Sequence, residues 1–169
     1  MSEIINLNLM MCGIVLLVGA ALHDVAARTI PNWMPLCLAA VGLVLRLYDG
    51  EVIVSSAIAA ALLVFLGLLW LRGLLGGGDV KLIPAASLVF PPSYVPEYVL
   101  FVATAGGILA LLYLALSHLM RRPRPGLRQG FAARVWKAEA WRMHRRGPLP
   151  YAIAIAAGAL PFVFKTFSE

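Results

Sequence analysis

Two acids in an otherwise apolar chain have the position and neighbours to do chemistry. Asp24 and Asp79 stand 55 residues apart, each at the end of an apolar segment, and Asp79 follows three glycines, Gly76-Gly77-Gly78. A carboxylate in a bilayer is costly, roughly 2.5–3.5 kcal/mol at a helix centre and less toward the interface, so such residues usually carry function. The glycines remove every Cβ, which lets the backbone take φ > 0 and lets a second chain approach closely. That suits an acid acting on an extended peptide; it suits equally a flexible turn ending in a solvated aspartate. Two carboxylates brought together cannot both ionise easily, so the pair shares a proton. The ionised member can take a proton from water while the protonated member donates to a scissile carbonyl, which is the division of labour amide hydrolysis needs. No serine or cysteine nucleophile is then required, and Ser55, Ser56 and Cys12 lie in or at the ends of apolar segments without a neighbouring histidine. The competing reading is local neutralisation: Asp24 by Arg28, one helical turn on, and Asp79 by Lys81. Such pairs contribute only about 0.2–0.5 kcal/mol on a helix surface.

The elements that must position these acids are membrane helices. Of the 169 residues, 62% are hydrophobic, and the mean hydropathy is +0.88. A soluble domain is about 45–50% apolar by a similar count. An all-α integral membrane protein is expected, forming a single domain over 1–169 and a bundle of about six transmembrane helices. The apolar segments run from Ile4 to Leu22, Trp33 to Tyr48, Val52 to Leu71, Val80 to just before Pro91-Pro92, Tyr98 to Leu119, and Leu149 to Phe164. The fourth is too short to span alone, so a broken or short fourth helix beside a wet cleft is expected. His23 to Asn32 reads as a shaped loop, because Pro31 disfavours helix at Ile30. Glu3 stands where a signal peptide would have a basic stretch, so no cleaved leader is expected at the first segment.

Net charge is +6, yet nine of the 14 basic residues lie between Arg121 and Arg146, opposed only by Glu139. In a membrane protein this reads as a cytoplasmic loop (120–148), not as a nucleic-acid surface. The same stretch suits contact with anionic headgroups and an interfacial helix. Six crossings then put Asp24, Asp79, Arg28, Arg72 and Lys81 at the cytoplasmic edge, with Asp49, Glu51 and Glu97 opposite. Asp49-Gly50-Glu51 reads as a solvated turn. Cys12 and Cys37 read as small buried residues, with no metal, cofactor or disulfide implied.

Gly76-Gly77-Gly78-Asp79 resembles the G-x-G-D motif of intramembrane aspartic proteases, and Val80-Lys81-Leu82 looks like its continuation in prepilin peptidases. Asp24 with Arg28, Ile30, Pro31 and Asn32 resembles that family's other catalytic block. Pro150-Tyr151 with Gly158 is similar to the family's final helix, although Ala152 stands where a glycine is common. The paired-cysteine domain of the long, N-methylating forms has no counterpart, so the chain looks like the short form of Tad/Flp pilus systems. The resemblance implies an aspartic endopeptidase that cuts leaders from prepilins and pilin-like proteins at the cytoplasmic face of the bacterial inner membrane, with Asp24 and Asp79 as the catalytic pair. Gly76, Gly77, Gly78, Lys81, Arg28 and Asn32 are the supporting or substrate-binding candidates. Each has a plainer alternative: Lys81 as a snorkelling anchor, Arg28 as a topology charge, Asn32 as a helix cap. The rival functions are a small proton- or ion-coupled transporter, which should spread acids through the membrane depth, and a non-catalytic pilus or secretion assembly factor, which leaves the glycines unexplained.

Overall fold

Long apolar runs without a soluble-type polar face become helices that satisfy their own backbone, the solution a bilayer favours. The computed structural model describes residues 2–119 and 149–168. The basic stretch 120–148, with the interfacial helix expected there, lies outside the described residues. Six α-helices are described: α1 (Ser2–Ala27), α2 (Trp33–Tyr48), α3 (Val52–Leu71), α4 (Gly77–Ser87), α5 (Val95–Leu119) and α6 (Tyr151–Ser168). A 3-10 turn, Pro92–Tyr94, leads into α5, and the described residues contain no strand.

Three of these helices are long and apolar enough to cross a membrane, over Asn6–Ala27, Val52–Leu71 and Pro92–Leu116. Helix α2 and the apolar part of α6, Tyr151–Phe162, are shorter. The expectation of about six membrane helices with a short fourth is met in the number of described helices, three of which are long and apolar enough to cross a membrane. Helix α4 has eleven residues, about 16 Å, and is the short fourth element. It begins inside the glycine run and is enclosed by the others: Val80, Leu82 to Ser87 and Leu88 to Phe90 are all buried. It packs on α2, α3 and α6. Gly42 makes the α2 contact possible, since a Cβ there would come within 2.5 Å of Leu88 Cβ. Helices α5 and α6 close on one another at two glycines. A Cβ on Gly158 would stand 2.6 Å from Val102 Cγ2, and one on Gly106 would enter the Tyr151 ring. Gly106 is thus a packing residue, while Gly107 meets nothing within 4 Å.

Polar contacts tie off both ends of the bundle. At one end the Ala152 N–H donates to Asp24 Oδ2 at 3.3 Å. At the other, buried Arg46 pairs with Asp49 at 3.0 Å and Glu51 at 3.3 Å, and reaches the Val89 carbonyl at 3.5 Å. Asn6 donates to Asp49 there. The Asp49–Glu51 turn is therefore an ion-pair clasp around a buried cation, not merely a solvated turn. Three further expectations need correction. Asp24 lies in the last turn of α1, not in a loop; the helix continues to Ala27 and turns at Arg28, whose φ is 56°. Cys12 and Cys37 are exposed, because helices apolar on every side give hydropathy no means of marking the inward face. Finally, none of Gly76, Gly77 and Gly78 has positive φ; the turn before α4 is made at Gly73, with φ 72°.

Candidate active site

Asp24 is carried by α1 and Asp79 by the first turn of α4. The first is buried and the second half-buried. Both line one cleft of about 720 Å³. So do Arg28, Asn32, Gly76, Gly77, Gly78 and Lys81, and every site candidate from the sequence is brought to this one place. Tyr151 of α6 joins them.

The glycines earn their place by contact, not by unusual dihedral angles. Gly76 is the N-cap of α4, with extended ψ of 142°. Its N–H donates to the Asp79 carboxylate, and a Cβ on it would stand 2.8 Å from Asp79 Oδ2. At Gly77 a Cβ would stand 3.3 Å from Trp70 Nε1. At Gly78 it would stand 3.0 to 3.2 Å from Ile30 Cδ1, Cβ and Cγ1. The loop after α1 thus lies directly on the start of α4, bringing the two aspartates together. That loop is shaped locally: the Arg28 N–H closes back on the Asp24 carbonyl at 2.8 Å, and His23 Nδ1 lies 2.7 Å from the Thr29 carbonyl. Since a carbonyl only accepts, His23 carries its proton on Nδ1 in that bond.

Asn32 occupies the N-cap position of α2 yet makes no side-chain cap. Its Oδ1 instead accepts from Lys81 Nζ at 2.9 Å, joining the start of α2 to α4. Lys81 is thereby held across the cleft edge, although both side chains remain exposed.

The two acids have unlike surroundings. Asp79 is pushed up to about 6, first by burial and then by the nearby Asp24 charge, with the Gly76 N–H opposing. Asp24 receives the Ala152 N–H from the first turn of α6. Free N–H groups at a helix start favour a negative charge. Sequence reasoning gave Ala152 no role; its contribution is a backbone amide, which no side-chain pattern reveals. A pair of neighbouring carboxyls that shares one proton can activate water and protonate a carbonyl. Among the described residues no group of His, Cys, Asp and Glu has the arrangement of a metal site.

A family model described as the type IV leader peptidase family matches residues 11–111, a span that holds both aspartates and the glycine run. No curated protein and no solved structure matches the chain. The match covers more than half of the sequence, and the chain belongs to the type IV leader peptidase family.

Proposed function

We propose that this membrane peptidase is an aspartic endopeptidase that removes leaders from prepilins and pilin-like proteins. Asp24 and Asp79 are its catalytic pair. The observation that carries the reading is the meeting of these two carboxylates in one cleft, close enough for the charge of Asp24 to act on Asp79.

Ionised Asp24 takes a proton from a water molecule as its oxygen bonds to the scissile carbonyl carbon. Asp79 gives its proton to the carbonyl oxygen, and a neutral tetrahedral diol results. The diol then collapses: the C–N bond breaks, Asp24 delivers its proton to the leaving nitrogen, and one diol hydroxyl returns a proton to Asp79. The pair ends in its starting state. General acid–base assistance of this kind contributes about 10²–10⁴-fold in rate. Gly76, Gly77 and Gly78 keep the cleft edge free of side chains for an extended peptide. The Lys81–Asn32 bridge positions that edge, and Arg28 turns the chain after Asp24.

The positive-inside rule assigns the basic stretch 120–148, and with it the cleft, to the cytoplasmic face of the bacterial inner membrane, where anionic headgroups lie beside it. Asp24 and Asp79 sit together at one end of the bundle and are not spread through its depth, which favours a peptidase over an ion-coupled transporter. The Tad/Flp-type branch is the form these 169 residues resemble.

The test is co-expression with a candidate prepilin, comparing wild type with Asp24→Asn and Asp79→Asn. Leader removal should be lost in both variants while both still accumulate in the membrane. Full processing by either variant would exclude the two-acid mechanism.

A further inference from the structure

His23 stands next to Asp24, yet it does not line the cleft, and the reaction just described gives it no part. Its ring Nδ1 donates to the Thr29 carbonyl at 2.7 Å, six residues on. That bond closes over the turn that ends α1. Inside the turn Arg28 has φ 56°, a left-handed conformation uncommon for a residue with a Cβ. Such a conformation persists where its surroundings over-determine it. Two hydrogen bonds act on it here. The Arg28 N–H returns to the Asp24 carbonyl at 2.8 Å, as in a helix stop of the αL type. The His23–Thr29 bond has its two ends on either side of Arg28.

The chain beyond this turn decides where Asp79 stands. Ile30 covers Gly78, with Cδ1, Cβ and Cγ1 only 3.0 to 3.2 Å from the place a Cβ would occupy. It also packs against the buried core, and its β-branched side chain is stiff at χ1. A shift at Thr29 is therefore passed on to Gly78. Asn32 Oδ1 accepts from Lys81 Nζ at 2.9 Å. Residues 30 and 32 thus grip α4 on both sides of Asp79, at Gly78 just before it and at Lys81 two residues after. Asp24 lies at the root of the same turn. The path of residues 28–32 sets how the two carboxylates approach, and His23 pins the start of that path.

Resting on the two-acid reading, we propose that His23 is a positioning residue for the reaction: its ring N–H holds Thr29 and, through Ile30 on Gly78, fixes the approach of Asp79 to Asp24.

His23→Leu keeps much of the bulk and removes the donor. His23→Asn puts an amide N–H about as far from the backbone as Nδ1. Misplacing a catalytic group by about 1 Å can cost on the order of 100-fold. With a prepilin substrate, His23→Leu should lower kcat by about 10–100-fold and change KM by less than about threefold. His23→Asn should bring kcat back to within about threefold of wild type. Ile30 tests the route, because residues acting through one another are not additive. His23→Leu added to Ile30→Ala should lower kcat by less than about twofold beyond Ile30→Ala alone. A wild-type kcat in His23→Leu, an Asn variant as slow as the Leu variant, or a full further loss in the double variant would each overturn the proposal and leave the peptidase reading intact. Wild-type enzyme that cuts no prepilin would overturn both. Hydrogen exchange over residues 24–32 reports without turnover. It should be faster in His23→Leu and near wild type in His23→Asn. Equal exchange in all three proteins, or exchange raised throughout the bundle in His23→Leu, would refute the positioning role.

Discussion

The Asp79 carboxylate folds back over Gly76, accepting its N–H and leaving only 2.8 Å between Oδ2 and the place a Cβ would occupy. Gly76→Ala therefore displaces the carboxylate and leaves the bundle intact. Misplacing a catalytic group by about 1 Å can cost on the order of 100-fold, so turnover of a prepilin should fall by roughly 10–100-fold. Thermal stability in detergent should change little. Gly67→Ala, where a Cβ meets nothing within 4 Å, is the matched control and should process normally.

The pH profile follows from the unlike acids. With Asp79 pushed up to about 6, kcat/KM should fall as pH rises through about 6 and its proton is lost. The acidic limb reports the pair's other proton, and both apparent values belong to the pair. Stability gives a second readout. The folded state holds the Asp79 proton above the pH at which the unfolded chain, near 3.8, releases it. Between those values the unfolded state binds fewer protons, so stability declines as pH rises and then levels off. Asp79→Asn should remove that decline from a melting-temperature series. An unchanged slope would mean that Asp79 is not the group responsible.

Arg46 tests the end remote from the cleft. It is 4% exposed and serves Asp49, Glu51 and the Val89 carbonyl. Arg46→Met deprives three acceptors of a charged donor and should destabilise by about 1.5–3 kcal/mol, the range for hydrogen bonds to charged groups. The fraction that remains folded should keep the wild-type kcat. The comparison needs only a melt and an assay on the same preparation.

Two neighbouring glycines in α5 should behave differently. Gly106→Ala drives a methyl group into the Tyr151 ring, and overpacking of this kind costs about 1–3 kcal/mol. Because Tyr151 also lines the cleft, turnover should fall with stability. Gly107→Ala meets open space and should be neutral or slightly stabilising. Detergent melting curves of the two variants decide the point.

The sequence made the acids legible because charge is rare in an apolar chain. Counting segments from the basic stretch was enough to put Asp24 and Asp79 at the same end. Glycine type signalled that a Cβ was unwelcome at residues 76 to 78, but not why; Asp79 itself supplies the reason at Gly76, while Trp70 of α3 at Gly77 and Ile30 of the loop after α1 at Gly78 are tertiary neighbours. Arg46 escaped notice because its partners at 49 and 51 look like any polar turn until the cation is seen to be buried. Cys12 and Cys37 show the same blindness from the opposite direction. Where a helix is apolar on every face, lipid and protein interior are chemically alike, so hydropathy cannot assign the sides.

The bond from Ala152 to Asp24 spans 128 residues, and it sets an order of events during biosynthesis. Asp24 emerges from the ribosome early, with α1, and Asp79 follows midway. The amide that fixes Asp24 arrives only with α6, after every other described helix has been made. A nascent chain thus carries both acids while lacking the last piece that orients one of them. Under the two-acid mechanism proposed above, proteolytic competence waits for α6, which protects neighbouring membrane chains from a half-built protease.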